Sequence, residues 1–150
     1  MTPLPHIVAS GIISAISLAY FKSAGYAVIS FLAGVLIDGD HLIDYYLNHG
    51  FTFNLKKIYR CCLAIDLKRI YLVLHSYELI FFLWAAIYIF SLSLFWQAIA
   101  LGLTQHMILD QISNPIKTFA YFFAYRAANN FKAAGILTIR KGNKFAIIKR

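Results

Sequence analysis

Residues 26–47, YAVISFLAGVLIDGDHLIDYYL, decide how the rest of the chain is read. At 1.5 Å per residue the stretch is long enough to cross about 30 Å of hydrocarbon as a helix. Its second half nevertheless carries Asp38, Asp40, His41 and Asp44. An ionised carboxylate in hydrocarbon or in an apolar core is costly unless a cation, a proton or hydrogen bonds compensate it. The same conflict recurs further along, in His75-x-x-Glu78 and His106-x-x-x-Asp110. Of the chain's 6 carboxylates only Asp66 lies outside such segments, and of its 5 histidines only His49 does. His6 joins the set near the N-terminus. A shared metal ion is the simplest compensation for this many buried acids beside imidazoles.

The surroundings are those of an integral membrane protein. The 150 residues are 61% hydrophobic and 17% aromatic but only 13% charged, far from the composition of soluble domains. Met1 to Pro5 has no basic start and the following apolar stretch no clear cleavage site, so the first segment is expected to stay as a transmembrane helix. Four spans are expected, roughly 5–21, 26–47, 71–91 and 94–113, as an all-α, polytopic, antiparallel four-helix bundle. Cys61 and Cys62 are adjacent, which suits neither a zinc ligand pair nor a structural disulfide.

Charge sets the orientation. With four crossings, all of the 14 basic residues except Lys22 share one side with both termini, and the excess of Lys and Arg marks that side as cytoplasmic. The formal net charge of +8 then reports topology and attraction to lipid headgroups, and no nucleic-acid partner is expected. Lys56 to Arg69 is expected to lie in the interface as an amphipathic element, and residues 116–126 as an aromatic-rich interfacial helix. From Gly135 onward a small hairpin turning near Gly142-Asn143 is expected. The chain divides into a transmembrane metal-site unit, 1–115, and an interfacial helix with a basic cytoplasmic tail, 116–150.

Threaded in this way, His6, Asp38 to Asp44, His75 and Glu78, and His106 and Asp110 all fall toward the cytoplasmic leaflet. Alternate helices run in opposite directions, so the common depth points to one site. His106 with Asp110, and His75 with Glu78, each share a helical face. Asp40, His41 and Asp44 share an arc of about 100°, with Asp38 at its margin. Asp38 therefore needs a distortion near Gly39, or a role beside a second metal or behind a histidine. His6, Ser10, Ser14 and Ser17 form a polar stripe that lets helices approach.

The expected ligands are His6, Asp38, Asp40, His41, His75, His106 and Asp110. Mixed imidazole and carboxylate donors suit zinc, manganese or iron, as one or two ions with zinc foremost. Glu78 is the expected general base, with Asp38 as a second catalytic carboxylate. The function these residues favour is metal-dependent hydrolysis at the cytoplasmic interface, on phosphoesters or lipid headgroups. The alternative is a non-enzymatic divalent-metal or proton-handling protein, or a metal-stabilised membrane scaffold. Interhelical hydrogen bonding is the plain explanation for any single one of these groups, and for Asp44, nearest the helix end, facing headgroups or water is the alternative to joining the cluster.

The ordered set of an early His6, the Asp38-x-Asp40-His41 box, the His75-Ser76 pair and His106-x-x-x-Asp110 before Pro115 resembles the YdjM-like family of bacterial inner-membrane proteins, described as metal-dependent hydrolases. The resemblance covers roughly residues 5–115. It implies a multi-pass inner-membrane protein with a divalent metal at these positions. Two departures stand out: Ile70 and Tyr71 occupy the place of a His-Arg pair common in that family, and Glu78 is not part of its pattern. The His-x-x-x-Asp and His-x-x-Glu elements are also similar in type, though not in spacing, to those of zinc-dependent phospholipases C and related nucleases, which implies phosphoester substrates.

Overall fold

The computed structural model describes residues 3–64, 66–114 and 117–137. Among them the chain is all-helical, with no strand and one isolated bridge between Arg69 and Lys132. Helix α1 (Pro3–Phe21) turns at Lys22, whose φ is 54°, into α2 (Ala24–Leu36). A single 3-10 turn, Ile37–Gly39, links α2 to α3 (Asp40–His49) without breaking the rod. After α4 (Leu55–Ala64) come an irregular loop, α5 (Tyr77–Ile89) and α6 (Leu94–Ser113). A 3-10 turn (Thr118–Tyr121) and the short helices α7 (Phe123–Ala128) and α8 (Ala133–Ile136) complete the described residues.

Helices α1, α2 and α6 pack mutually and α5 packs on α6. Small residues make the approach possible. A Cβ on Gly102 of α6 would run into the Ser30 carbonyl oxygen and come within 2.9 Å of the Gly34 nitrogen, so the backbones of α2 and α6 nearly touch there. The serine stripe of α1 faces this seam: Ser14 donates to the Ala27 carbonyl at 2.8 Å, and Ser10 to Gln105 at 3.1 Å. The opposite faces expose Ile12, Ile16, Val28, Phe81, Phe82 and Ile89. Helix α1 and the continuous Ala24–His49 rod are each long and apolar enough to cross a membrane.

The third segment differs from expectation. Helix α5 starts at Tyr77, capped by the Ser76 side chain accepting from the Leu79 N–H at 3.1 Å, so residues 71–76 are loop rather than helix. Its 13 residues rise only about 20 Å. The aromatic run after Lys117 likewise forms a 3-10 turn and the six-residue α7 in place of one interfacial helix. Gly135 and Ile136, expected to open a hairpin, close α8, and the rest of that hairpin lies outside the described residues.

Candidate metal centre

The 3-10 turn resolves the misfit of Asp38. Asp38 lies in that turn, and its Oδ1 is 3.6 Å from His75 Nε2, 3.4 Å from His106 Nε2 and 3.7 Å from His41 Nε2. Asp110 Oδ2 approaches the same two atoms, His75 Nε2 and His106 Nε2, at 3.7 Å each. Its other oxygen is 3.2 Å from His6 Nε2. Residues from α1, the 3-10 turn, α3, the loop before α5, and α6 thus converge at one end of the bundle.

Two observations test whether these residues suit an ion. The Nε2 atoms of His75 and His106 are buried and have no hydrogen-bond partner, a costly state for a polar atom. Four donors held about 2.1 Å from a tetrahedral ion stand about 3.4 Å apart, close to the separations between these nitrogens and the two carboxylate oxygens. With both Nε2 atoms left without a hydrogen-bond partner, these separations suit a common ligand.

The far sides of the rings fix which nitrogen is bare. His106 Nδ1 lies 2.7 Å from the Gly34 carbonyl, which can only accept, so Nδ1 carries the proton and a neutral ring leaves the Nε2 lone pair free. His75 Nδ1 lies 3.4 Å from Asp40 Oδ2, which also accepts from the Leu74 N–H at 2.7 Å. Asp40, expected as a ligand, therefore stands behind His75 as its orienting carboxylate. The His6 ring stacks on His106 with centroids 4.1 Å apart.

Two readings change. Asp44 does not face headgroups or water: it is fully buried and accepts from the Tyr71 and Leu72 N–H groups at 3.0 and 3.2 Å. Glu78 is not beside the centre. Its carboxylate accepts from the Phe123 and Ala124 N–H groups at 2.9 and 3.0 Å, capping α7, so the general-base role is not carried forward.

Arg126 has no counterpart in the motif reading, yet it is buried and donates to the carbonyls of Leu72 (2.8 Å), His75 (3.0 Å) and Ala120 (2.7 Å). Burial pulls its guanidinium below the ordinary value, opposed by the carboxylates of Glu78, Asp44 and Asp40. Asp44 on the amides and Arg126 on the carbonyls clamp the loop from two sides. Leu72, at φ 39°, is held there in a backbone conformation unfavourable to a bulky side chain. Only the distribution of basic residues in the apparent tail hinted at Arg126, and that was read as topology.

Donor atoms of His6, His106 and Asp110, and those of Asp38, His41 and His75, lie close enough together to hold a metal ion, and a third trio, His49, Cys61 and Asp66, has the same chemistry. There, however, His49 Nε2 and Cys61 Sγ both contact the Asp66 carbonyl, at 2.7 and 3.2 Å, which ties the end of α3 to the following loop.

The described residues thus define an all-helical protein with two helices able to cross a membrane and a histidine–aspartate centre that could hold a metal ion. Comparison with protein-family models, curated proteins and solved structures finds no match.

Proposed function

We propose that the protein is a membrane-embedded, metal-dependent hydrolase of the YdjM-like kind, acting on ester or phosphoester groups at the cytoplasmic face of a bacterial inner membrane. The observation that carries this reading is the pair of buried, bare Nε2 atoms of His75 and His106 facing Asp38 and Asp110. These four residues would hold a divalent transition ion, with zinc the first choice for such donors. Such an ion supplies Lewis acidity, polarising a carbonyl or phosphoryl oxygen and bringing the pKa of water toward neutrality.

The chain's own residues supply the rest. Asp40 and the Gly34 carbonyl orient the two rings. Asp38 and His41 are about one-third exposed, whereas His75 and His106 are sealed, so substrate and water approach from the Asp38–His41 side. His41 Nε2, 3.7 Å from Asp38 Oδ1 at that rim, is placed to accept a proton from an attacking water.

The membrane arrangement belongs to the same proposal: four crossings, with α5 and α6 joining α1 and the α2–α3 rod, and both termini cytoplasmic. About 18 to 23 Å of helix rise separates His6, Asp38, Ser76 and His106 from the turns after Phe21 and Ile89. In a layer about 30 Å thick, this supports a centre within the cytoplasmic leaflet. A one-sided site favours chemistry over transport, which calls for polar groups across the bilayer.

The test is turnover of chromogenic phosphodiesters, carboxylic esters and glycerophospholipids by metal-loaded protein. Hydrolysis that falls at least a hundredfold in Asp38→Asn and in His75→Ala supports the reading. Metal bound with no turnover on any of these substrates would replace it with a metal-stabilised scaffold.

A further inference from the structure

A cavity of about 270 Å³ adjoins the centre, and its composition is divided. One end is His6, Asp38, His41 and Asp110; Leu42, Ile58, Leu63, Leu67, Ile70 and Ile136 wall the remainder. Leu67, Ile70 and Ile136 belong to one packed cluster and Ile58 is buried, so this wall is built rather than incidental. Of the other polar groups at its edge, Asn114 Nδ2 donates to the Tyr121 hydroxyl at 2.8 Å, Arg126 spends both Nη atoms on carbonyls, leaving only Nε without a partner, and Tyr59 is exposed. Burial pushes the thiol of Cys62, which also lines the cavity, up to about 11, so it adds no charge at neutral pH.

From this we infer that the substrate is an amphiphile whose reacting head meets the Asp38–His41–Asp110 end while one aliphatic chain lies in the cavity. The inference rests on the proposed metal reading and adds the substrate class to it. The volume is about twice the ~150 Å³ of an apolar cavity that accepts a benzene ring, enough for one chain segment and too small for a whole two-chain lipid. Apolar side chains lining a cavity of this size gain from contact with hydrocarbon, and the bilayer beside it is a source of chains.

The test uses the full chain in detergent micelles, loaded with cobalt(II), whose visible bands report ligation. n-Alkylphosphonates from ethyl to decyl are titrated in, since their heads ligate through oxygen and only chain length varies. Affinity is expected to rise about fourfold per methylene until the cavity is full, then level off. Leu63→Trp, which narrows the cavity from α4, is expected to level off at shorter chains than the wild type. Partition into micelles is common to both proteins and cancels in the variant-to-wild-type ratio. Leu42→Trp narrows the cavity independently from α3, should Leu63→Trp not fold. Normal cobalt bands with a ratio that stays flat from ethyl to decyl would overturn the chain-binding inference alone. Absence of cobalt bands in the wild type would overturn the metal reading and this inference with it.

Discussion

His75 depends on groups that lie far apart in sequence. Asp40 faces its Nδ1, Asp44 and Arg126 clamp the loop that carries it, and Nε2 is left aimed at Asp38 and Asp110. Orienting carboxylates of this kind typically raise metal affinity about 10–100-fold. Asp40→Asn is therefore expected to keep the ion but weaken its binding by that factor in chelator competition; an unchanged affinity would remove Asp40 from the centre. Glu78→Gln should leave metal content and turnover within about twofold. Its cost is a cap, about 1 kcal/mol of thermal stability. The pairing of His106 with Asp110 was legible from a spacing of one helical turn. Glu78 was misread because its partners, the amides of Phe123 and Ala124, lie 45 and 46 positions away and carry no side-chain signature. Arg126 was hidden for the same reason, since its hydrogen bonds go to backbone carbonyls.

At the scale of elements, the α2–α3 rod shows what periodicity could and could not decide. The apolar run located the helix, and the misfit of Asp38 at 100° per residue pointed to a distortion beside Gly39. Only the structure shows a 3-10 turn, with Asp38 in it beside the two histidines. The start of α5 was not legible, because hydropathy does not register that Asp44 and Asp40 hold residues 71–75 as loop. The α2–α6 seam makes its own prediction. Gly102→Ala would drive a methyl group into the Ser30 carbonyl, at a cost of about 1–3 kcal/mol, seen as a lower melting temperature and reduced metal content. Gly11→Ala, where a Cβ meets nothing within 4 Å, should be neutral or stabilising by about 0.5–1 kcal/mol. Equal effects of the two would contradict close packing at Gly102. On α4, burial raises the Cys62 thiol to about 11. The thiolate fraction should therefore climb about tenfold per pH unit through pH 10, and maleimide labelling of Cys61→Ser protein should climb with it; levelling off near pH 9 would mark an unperturbed thiol.

For the whole molecule, composition pointed to a membrane protein, and two helices meet the length and hydropathy required for crossing. The proposed four crossings predict that a cysteine placed at Lys22 or Ser91 reacts with membrane-impermeant maleimide from outside the cell, while one at Lys57 does not. Reaction at Lys57 and protection at Lys22 would reverse the orientation. The central claim is that His75, His106, Asp38 and Asp110 share a metal ion. Elemental analysis of protein purified without chelator tests it most directly, comparing wild type with folded His75→Ala and His106→Ala variants. About one to two transition-metal ions per chain, lost in both variants, is the predicted result. A wild type free of transition metal, or an unchanged content in both variants, would contradict it.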